Sequence, residues 1–405
     1  MNILYCTNYF SNSVGGSEYV FWLYVKYMAE HGHNVYVVCF NGDTQALERL
    51  RNASSNVQVI ALTPEVKLMP YLPRKVFINI KYVVKGLKEI NHILRSEDID
   101  LIHTNVYIPV VLGSIIKKKY KIPHITTVHD VKSAMGLLFL YRTFYEVERS
   151  PIIALSKSAL CKEGERMLFS YTCIDAILAP SNRTARDLNR LLGSRGYSKN
   201  VYIIPNAIDI MDYQDPAVHE DELLEETILY IGRLTFYKNL DTAIRAFALL
   251  RREYPSAKLI IAGDGPARQN YQELVRKLSL GKHVKFLNSV SHRRKLELIA
   301  NSRFLINPSI FEGFGLVILE AWALRKPVIV SRISPLKDIV EDSIDGLTVP
   351  PLNVRAWYDA MSLLMEDNSL IKDMGQHGFN KVLKYYDYKR TYALLEQLYK
   401  RYSMR

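Results

Sequence analysis

The sequence EGFGLVILEA, residues 312–321, follows the apolar run FLIN (304–307) and sets two glutamates eight positions apart. Glu312 stands among glycines, whereas Glu320 interrupts an apolar run. Glycines between two such runs predict a strand, a turn and then a helix that begins near Phe314–Gly315 and contains Glu320. Burying an ionised carboxylate is costly unless it has a partner. Beside Glu320 we therefore expect either a lysine or the hydroxyl groups of a ligand.

The same alternation of strand and helix recurs along the whole chain, and it predicts an α/β fold with a doubly wound, Rossmann-like sheet in each half. Nearly all-apolar strands indicate parallel sheets that are covered on both faces. Strand candidates in the first half are Ile3–Cys6, Val35–Phe40, Val57–Leu62, Leu101–Thr104, His124–Val128, Ile177–Pro180 and Val201–Ile204. The second half offers TILYIG, KLIIAGDG, VKFLNSV, RFLINPS, PVIVS and GLTVP.

A chain of 405 residues is too long for one ordinary core and predicts two domains. The acidic, weakly periodic segment after Pro205 is typical of a linker. We predict an N-terminal domain over 1–205 and a C-terminal domain over 206–385. The amphipathic segment 386–405 is expected to return to the N-terminal domain. Such folds bind ligands where their strands end, so both sheets should face a common cleft.

The composition is that of a folded, water-soluble protein, with 48% hydrophobic and 23% charged residues. No apolar run approaches the ~18–20 residues that cross a bilayer, and the N-terminus is typical of a strand rather than of a signal peptide. The four cysteines show no metal-binding spacing and are expected to be reduced. We therefore expect a cytoplasmic protein. The oligomeric state stays open.

Polar loops follow two strands of the N-terminal half. Gly15 and Gly16 precede a helix that begins near Ser17, so this loop either lets a ligand phosphate approach the backbone or forms an ordinary turn. His129 and Asp130 follow the strand HITTV. His129 either hydrogen-bonds hydroxyls or handles protons in a site, or it packs against a neighbouring loop.

Two basic residues follow the first strand of the C-terminal half. Arg233 and Lys238 in GRLTFYKN can hold a diphosphate, although a pair of this kind is commonly only solvated. The backbone amides from Gly313 to Leu316 should point to the same place, because a helix N-terminus binds phosphate. Each motif is ambiguous alone, but their joint placement favours one site.

Taken together, these motifs resemble the retaining glycosyltransferases of family 4 (glycosyl transferases group 1), which have the GT-B fold. The matching pieces span nearly the whole chain in the order of the family: GGSE (15–18), VHD (128–130), PNAID (205–209), GRLTFYKN (232–239), GDGP (263–266) and EGFGLVILEA (312–321). The two glutamates eight positions apart, with EGFG, are the most specific piece. Ala207 stands where the family often has glycine, which is a mild change. Asp338 stands where the family usually has glutamate, in a loop near the donor site, which puts the choice of donor in doubt.

The resemblance implies a role for each matching residue. Arg233 and Lys238 would bind the donor diphosphate, and Glu320 would hold the ribose hydroxyls. Glu312 would grip the sugar that is transferred. Further residues implied for donor binding are Gly16, Gly313, Phe314, Gly315 and Leu316. Those implied near the sugar or the acceptor are His129, which would contact the sugar, and Gly15, Glu18, Asp130 and Asn206.

The implied reaction moves a hexose-type sugar from a UDP-, GDP- or ADP-sugar to a hydroxyl acceptor, with no cofactor and no essential metal. Stabilisation of the departing phosphate should be its main catalytic term. The sequence shows no second carboxylate for a covalent intermediate, so we favour front-face displacement over a nucleophilic Glu312.

The positive charge concentrates in the N-terminal half, which the resemblance implies binds the acceptor. Residues 1–205 hold 25 Lys/Arg and 16 Asp/Glu, a balance of +9 out of the total of +12. Residues 67–95, with Lys81, Lys85 and Lys88 at helical spacing, and IIKKKYK (115–121) predict contact with an anionic membrane and a lipid or lipid-linked glycan as acceptor. The alternative is a solvated helix that covers the sheet.

Three other functions compete with this interpretation. A nucleotide-sugar epimerase of the same fold would leave the spacing of Glu312 and Glu320 without a reason. A sugar phosphorylase would need a pyridoxal-lysine site, which the sequence does not show. A nucleic-acid-binding protein is disfavoured because the basic residues are not interleaved with an aromatic platform.

Overall fold

The computed structural model describes residues 1–11, 15–43, 46, 48–50, 54–62, 74–105, 108–148, 150–193, 200–214 and 226–404, without the side chains of residues 41, 74–83 and 138. Part of the basic segment 67–95, including the side chain of Lys81, lies outside the described residues. So do residues 215–225 of the predicted linker.

Strands and helices alternate through the first half of the chain, as its apolar periodicity predicts. The strands are β1 (Asn2–Phe10), β2 (Asn34–Gly42), β3 (Val57–Ala61), β4 (Leu101–Asn105), β5 (His124–Thr127), β6 (Ala176–Ala179) and β7 (Asn200–Ile203). The helices are α1 (Gly16–Glu30), α2 (Arg74–Ser96), α3 (Ile108–Tyr120), α4 (Leu137–Glu148), α5 (Pro151–Tyr171) and α6 (Asn182–Gly193).

The second half repeats this alternation and ends in consecutive helices. Its strands are β8 (Thr227–Ile231), β9 (Lys258–Ala262), β10 (Val284–Leu287), β11 (Phe304–Asn307), β12 (Val328–Ser331) and β13 (Gly346–Val349). Its helices are α7 (Leu240–Glu253), α8 (Arg268–Lys277), α9 (His292–Ala300), α10 (Leu316–Ala323), α11 (Leu336–Ile339), α12 (Val354–Glu366), α13 (Asn368–Lys381), α14 (Tyr388–Thr391) and α15 (Ala393–Ser403).

Each half forms one parallel sheet, which confirms the predicted α/β class. Within the described ranges, the first sheet has seven strands in the order β3-β2-β1-β4-β5-β6-β7, and the second has six in the order β10-β9-β8-β11-β12-β13. In both sheets the order reverses beside the first strand, which makes them doubly wound. Ligand-binding loops in such sheets follow the carboxyl ends of the strands.

Contacts group the chain into two compact units. The first unit contains 1–131, 163–206 and 388–405, and the second contains 132–162 and 207–387. The predicted N-terminal domain 1–205 is continuous and includes residues 132–162. Their contacts group these residues with the second unit instead. In the second unit, the ring of Phe139 meets that of Phe236 edge to face, and the Glu146 carboxylate accepts a hydrogen bond from the backbone N–H of Phe236.

The last helix packs on the first unit, as its amphipathic sequence predicts. The hydroxyl of Tyr399 lies 3.1 Å from that of Tyr5 and also hydrogen-bonds to Nδ1 of His103. In a partly buried contact, Glu396 Oε1 lies 3.0 Å from Nε2 of His33. A buried network of polar groups and rings therefore attaches α15 to the sheet.

Candidate active site

The helix that follows EGFG has an open N-terminus. Gly315 precedes the first residue of α10, Leu316, with φ +99°, and no side chain caps the helix there. A Cβ on Gly315 would lie 2.8 Å from Cδ2 of Leu336, so both the backbone conformation and the packing require glycine. Buried Phe314 packs on Tyr386, and Gly313 and Leu316 are partly buried. The free amides and the dipole of α10 make this turn suited to an anion.

A lysine and a glutamate from two different loops meet beside this turn. Nζ of Lys238 lies 2.6 Å from Oε2 of Glu312, and the two side chains are equally shielded from solvent. Oγ of the fully buried Ser309 donates to the same carboxylate oxygen, at 3.1 Å. Glu312 is thereby held on both sides, which gives a phosphate or sugar a fixed set of polar partners.

The two loops are also joined by a backbone hydrogen bond and a side-chain hydrogen bond, which explains why the motifs come together. The N–H of Ile310 donates to the carbonyl of Tyr237 at 2.8 Å, and Nδ2 of Asn239 donates to the carbonyl of Pro308 at 3.1 Å. Arg233 lies in the same loop as Lys238, is exposed, and forms no ion pair with a carboxylate of the described residues. Its guanidinium is therefore available to a ligand anion.

The glycines of GDGP support this arrangement by close packing. A Cβ on Gly263 would lie 2.0 Å from the carbonyl oxygen of Gly232, and one on Gly265 would lie 2.2 Å from that of Leu234. The N–H of Leu234 also donates to the carbonyl of Asp264. These glycines thus let the loop of Arg233 lie directly against the next strand end.

Glu320 has protein partners, which corrects one expectation. If the partners of Glu320 were ribose hydroxyls, its carboxylate should have no partner in the protein without ligand. Instead, Oε1 of the buried Glu320 lies 2.5 Å from Nζ of Lys295, and the hydroxyl of Tyr213 donates to it at 3.4 Å. The lysine alternative is correct, because helices α9 and α10 bring the two charges together.

His129 lies just beyond β5 in the first unit. Its Nε2 lies 3.1 Å from Oδ1 of Asn105. Because an amide oxygen accepts, Nε2 carries the proton. Its Nδ1 is buried without a hydrogen-bond partner among the described residues. Burial lowers the pKa of His129 to about 4. The imidazole is therefore neutral near pH 7 and suited to accept a hydrogen bond from a hydroxyl rather than to release a proton.

The remaining predicted residues of the first unit lie on its loops or in the first turn of α1. Gly15 has φ +77° and precedes α1, which begins at Gly16. The carboxylate of Glu18 folds back so that a Cβ on Gly15 would lie 2.2 Å from its Oε2. Asp130 follows His129 and is partly buried, and Asn206 is buried with its Oδ1 lacking a partner among the described atoms.

Sequence reasoning missed the residues that hold the predicted ones. They are Lys295, Tyr213, Ser309 and Asn105. The expectation of a lysine beside Glu320 identified the type of partner but not its position. Nothing local distinguishes Lys295 in the helix HRRKLELIA, because its meeting with Glu320 depends on how two helices pack.

The described part of the chain contains no group of three or more His, Cys, Asp or Glu side chains placed to hold a metal ion. It also contains no helix that is long and apolar enough to cross a membrane.

Two family models match adjoining parts of the chain. The Glycosyltransferase Family 4 model matches residues 14–211, and the Glycosyl transferases group 1 model matches residues 214–381. Together with the two Rossmann-like sheets, these matches define an enzyme of the GT-B glycosyltransferase class. The chain belongs to the family of glycosyl transferases group 1.

Individual proteins resemble the chain to different extents. It is 31% identical over 151 residues to alpha-D-kanosaminyltransferase of Streptomyces kanamyceticus, a stretch of 37% of this chain and 39% of that protein. It is 24% identical over 332 residues to alpha-monoglucosyldiacylglycerol synthase of Streptococcus pneumoniae, covering 78% of this chain and 69% of that one.

A solved structure shows the same fold. The Anabaena protein HepE, in complex with UDP and glucose, superposes with a TM-score of 0.72 at 18% identity, covering 98% of this chain and 99% of that one.

Proposed function

We propose that the chain transfers a hexose-type sugar from a nucleotide-diphosphate sugar to a hydroxyl acceptor, with retention of anomeric configuration. The main support is the open N-terminus of α10 beside the pair of Lys238 and Glu312. The complex of HepE with UDP and glucose supports this class of donor, since that protein shares the fold.

The donor diphosphate would lie against the N–H groups at the start of α10. Lys238 and the exposed guanidinium of Arg233 would complete its binding. As the bond between the anomeric carbon and the phosphate oxygen breaks, negative charge grows on the diphosphate, and these donors stabilise it. Glu312 would turn from Lys238 to the sugar hydroxyls. No metal ion enters this proposal.

The proposed displacement proceeds on one face of the sugar. The acceptor oxygen forms its bond to the anomeric carbon from the side of the departing diphosphate, and the acceptor proton passes to the phosphate oxygen that leaves. Neutral His129, with a free acceptor at Nδ1, would bind a sugar hydroxyl. A covalent sugar on Glu312, detected by mass spectrometry of trapped turnover, would exclude this mechanism.

A screen of UDP-, GDP- and ADP-sugars for hydrolysis without acceptor tests the donor class directly. One of them should be hydrolysed, and Arg233→Ala and Lys238→Ala should each lower this activity. Exposed Arg252→Ala is the control for loss of a positive charge in the same unit. If all three variants retain full activity and full thermal stabilisation by the nucleoside diphosphate, the proposed donor site is wrong.

The proposed acceptor is a membrane lipid or a lipid-linked glycan, with the enzyme on the inner face of the membrane. Helix α5 supports this, because several apolar side chains in its first half are exposed to solvent. Ile152, Leu155 and Leu160 are 78%, 53% and 70% exposed, and residues 150–162 contain no Asp or Glu. Exposed apolar side chains that cluster on one helix indicate a contact with an apolar partner.

Flotation with vesicles tests this contact. The protein should float with vesicles that contain anionic lipid more than with neutral ones, and Ile152→Ser with Leu160→Ser should reduce flotation. Lys85→Gln with Lys88→Gln in α2 tests the contribution of the predicted basic segment. Equal flotation with both kinds of vesicle would refute the preference for anionic lipid, and a stable protein that floats with neither would refute membrane contact.

A further inference from the structure

A cavity in the second unit, lined by the end of α9, the turn after α10 and the helix α13, is not part of the proposed donor site. Its volume is about 570 Å³, within the range of cavities that hold small organic ligands. Four of the residues that line it are basic and none is acidic: Arg303, Arg325, Lys326 and Lys372.

Close packing builds one wall of this cavity. Arg325, two residues after the end of α10, adopts φ +53°, so that the chain turns sharply into Lys326. Helix α13 approaches this turn because Gly375 has no side chain: a Cβ there would lie 2.0 Å from the carbonyl oxygen of Arg325. One turn along, Gly378 lies against the ring of Trp322 in the same way. The wall is therefore rigid and close-packed.

The positive charges in the cavity are oriented by neutral groups. Arg303 donates to the carbonyls of Leu364 and Met365 and, at 2.7 Å, to Oδ1 of Asn368. Arg325 donates to Oε1 of Gln376 at 3.2 Å. These contacts orient both guanidinium groups through neutral acceptors.

Two lining residues lack the partners that buried polar groups ordinarily have. Lys326 is partly buried and forms no ion pair with the described carboxylates, and burial lowers its pKa. Asn301 is only 4% exposed, yet both its Oδ1 and its Nδ2 have no hydrogen-bond partner within the described part of the chain. A ligand that brings negative charge and hydrogen-bonding atoms would satisfy both residues.

We propose that this cavity binds the phosphate group of a phosphorylated ligand. Lys326 and Lys372 would supply the charge, Arg303 and Arg325 would line the site, and the amide of Asn301 would bind a neighbouring hydroxyl or phosphate oxygen. The site is independent of the proposed sugar-donor site, because it shares no residue with it. The same chemistry is available from a free phosphate monoester and from a lipid headgroup.

Calorimetric titration of the whole protein with glycerol 3-phosphate tests the proposal. Lys326→Gln with Lys372→Gln should weaken binding by at least ~10-fold, the loss of about 1.4 kcal/mol, whereas Lys277→Gln with Lys285→Gln should not. The control pair removes the same charge from exposed positions of the same unit. Equal binding by both double variants overturns the proposal. So does a wild type that does not bind glycerol 3-phosphate and whose lysines are not protected from acetylation by phosphatidate vesicles. So does loss of binding in Lys238→Ala alone, because the phosphate would then lie in the donor site.

A second measurement needs no variant and separates the two sources of phosphate. Acetylation of Lys326 and Lys372, read by mass spectrometry, should slow several-fold when the ligand is bound. Protection by glycerol 3-phosphate indicates a soluble ligand, and protection only by vesicles with phosphatidate indicates a lipid headgroup. No protection by either, relative to phosphatidylcholine vesicles, contradicts the site.

Discussion

Nζ of Lys238 and Oε2 of Glu312 lie 2.6 Å apart, although 74 residues separate them in the chain. The two side chains are proposed to bind different parts of the donor: Lys238 binds the diphosphate, and Glu312 binds the sugar. The ion pair keeps both side chains in place beside the open start of α10 before a ligand arrives. An arriving phosphate would replace the glutamate as the partner of Lys238.

Replacing Lys238 should affect donor binding, whereas replacing Glu312 should affect the rate of sugar transfer. Lys238→Ala should weaken UDP binding by ~10–100-fold, because a charge-assisted hydrogen bond contributes about 1.5–3 kcal/mol. Glu312→Gln should leave UDP affinity nearly unchanged and lower kcat by ~100-fold or more, since it removes contacts to the sugar. Calorimetry with UDP and initial rates with the sugar donor separate the two effects. If Glu312→Gln weakens UDP as strongly as Lys238→Ala does, the assigned roles are wrong.

Buried Glu320 and partly buried Lys295 should be coupled in their effect on stability. Either Glu320→Gln or Lys295→Met alone should lower the free energy of unfolding by about 3 kcal/mol, because the remaining charge is left without its partner. The double variant should lose less free energy of unfolding than the two single variants lose together, as measured by urea unfolding.

The ribose contact that the family resemblance implies for Glu320 has a separate test. UDP should bind the wild type more tightly than its 2′-deoxy analogue, and Glu320→Gln should reduce that difference. If wild type and variant discriminate equally between the two nucleotides, Glu320 does not hold the ribose.

The glycine of GDGP that packs on the neighbouring loop should not tolerate a side chain. Gly263→Ala places a Cβ 2.0 Å from a backbone oxygen, at φ +139°, and should lower the melting temperature and UDP affinity together. Gly281→Ala is the matched control, since a Cβ there meets nothing within 4 Å. Thermal unfolding with and without UDP measures both effects. Equal melting temperatures for the two variants would contradict this packing.

His129 should make the protein sensitive to mild acid. The unfolded histidine has a pKa near 6.5, whereas burial lowers the folded value to about 4. Between these pH values the unfolded chain binds a proton that the folded chain does not. The free energy of unfolding should therefore be at its full value above pH ~6.5 and should fall by up to roughly 3 kcal/mol as the pH decreases to ~4. His129→Gln should flatten this dependence in urea unfolding, whereas exposed His377→Gln should not. If the free energy of unfolding of His129→Gln depends on pH as steeply as that of the wild type, burial of His129 does not cause the acid sensitivity.

Local sequence was sufficient to predict both sheets and the loops that follow their strands. Apolar runs and glycines act through neighbouring residues, so the predicted strand and helix of FLIN and EGFGLVILEA match β11 and α10 within about two residues. The C-terminal helix could also be predicted, because its apolar side needs a surface to cover. The assignment of 132–162 to the second unit could not, since it depends on contacts with Phe236.

The sequence by itself determined which residue types stand at the strand ends: Arg233, Lys238, His129 and the two glutamates. Only the tertiary structure decided which of them meet. It paired Glu312 with Lys238 and Glu320 with Lys295, and it left Nδ1 of His129 without a partner among the described residues. The physical reason is that periodicity reports which way a side chain faces, whereas the partner of a charge depends on the packing of elements far apart in the chain.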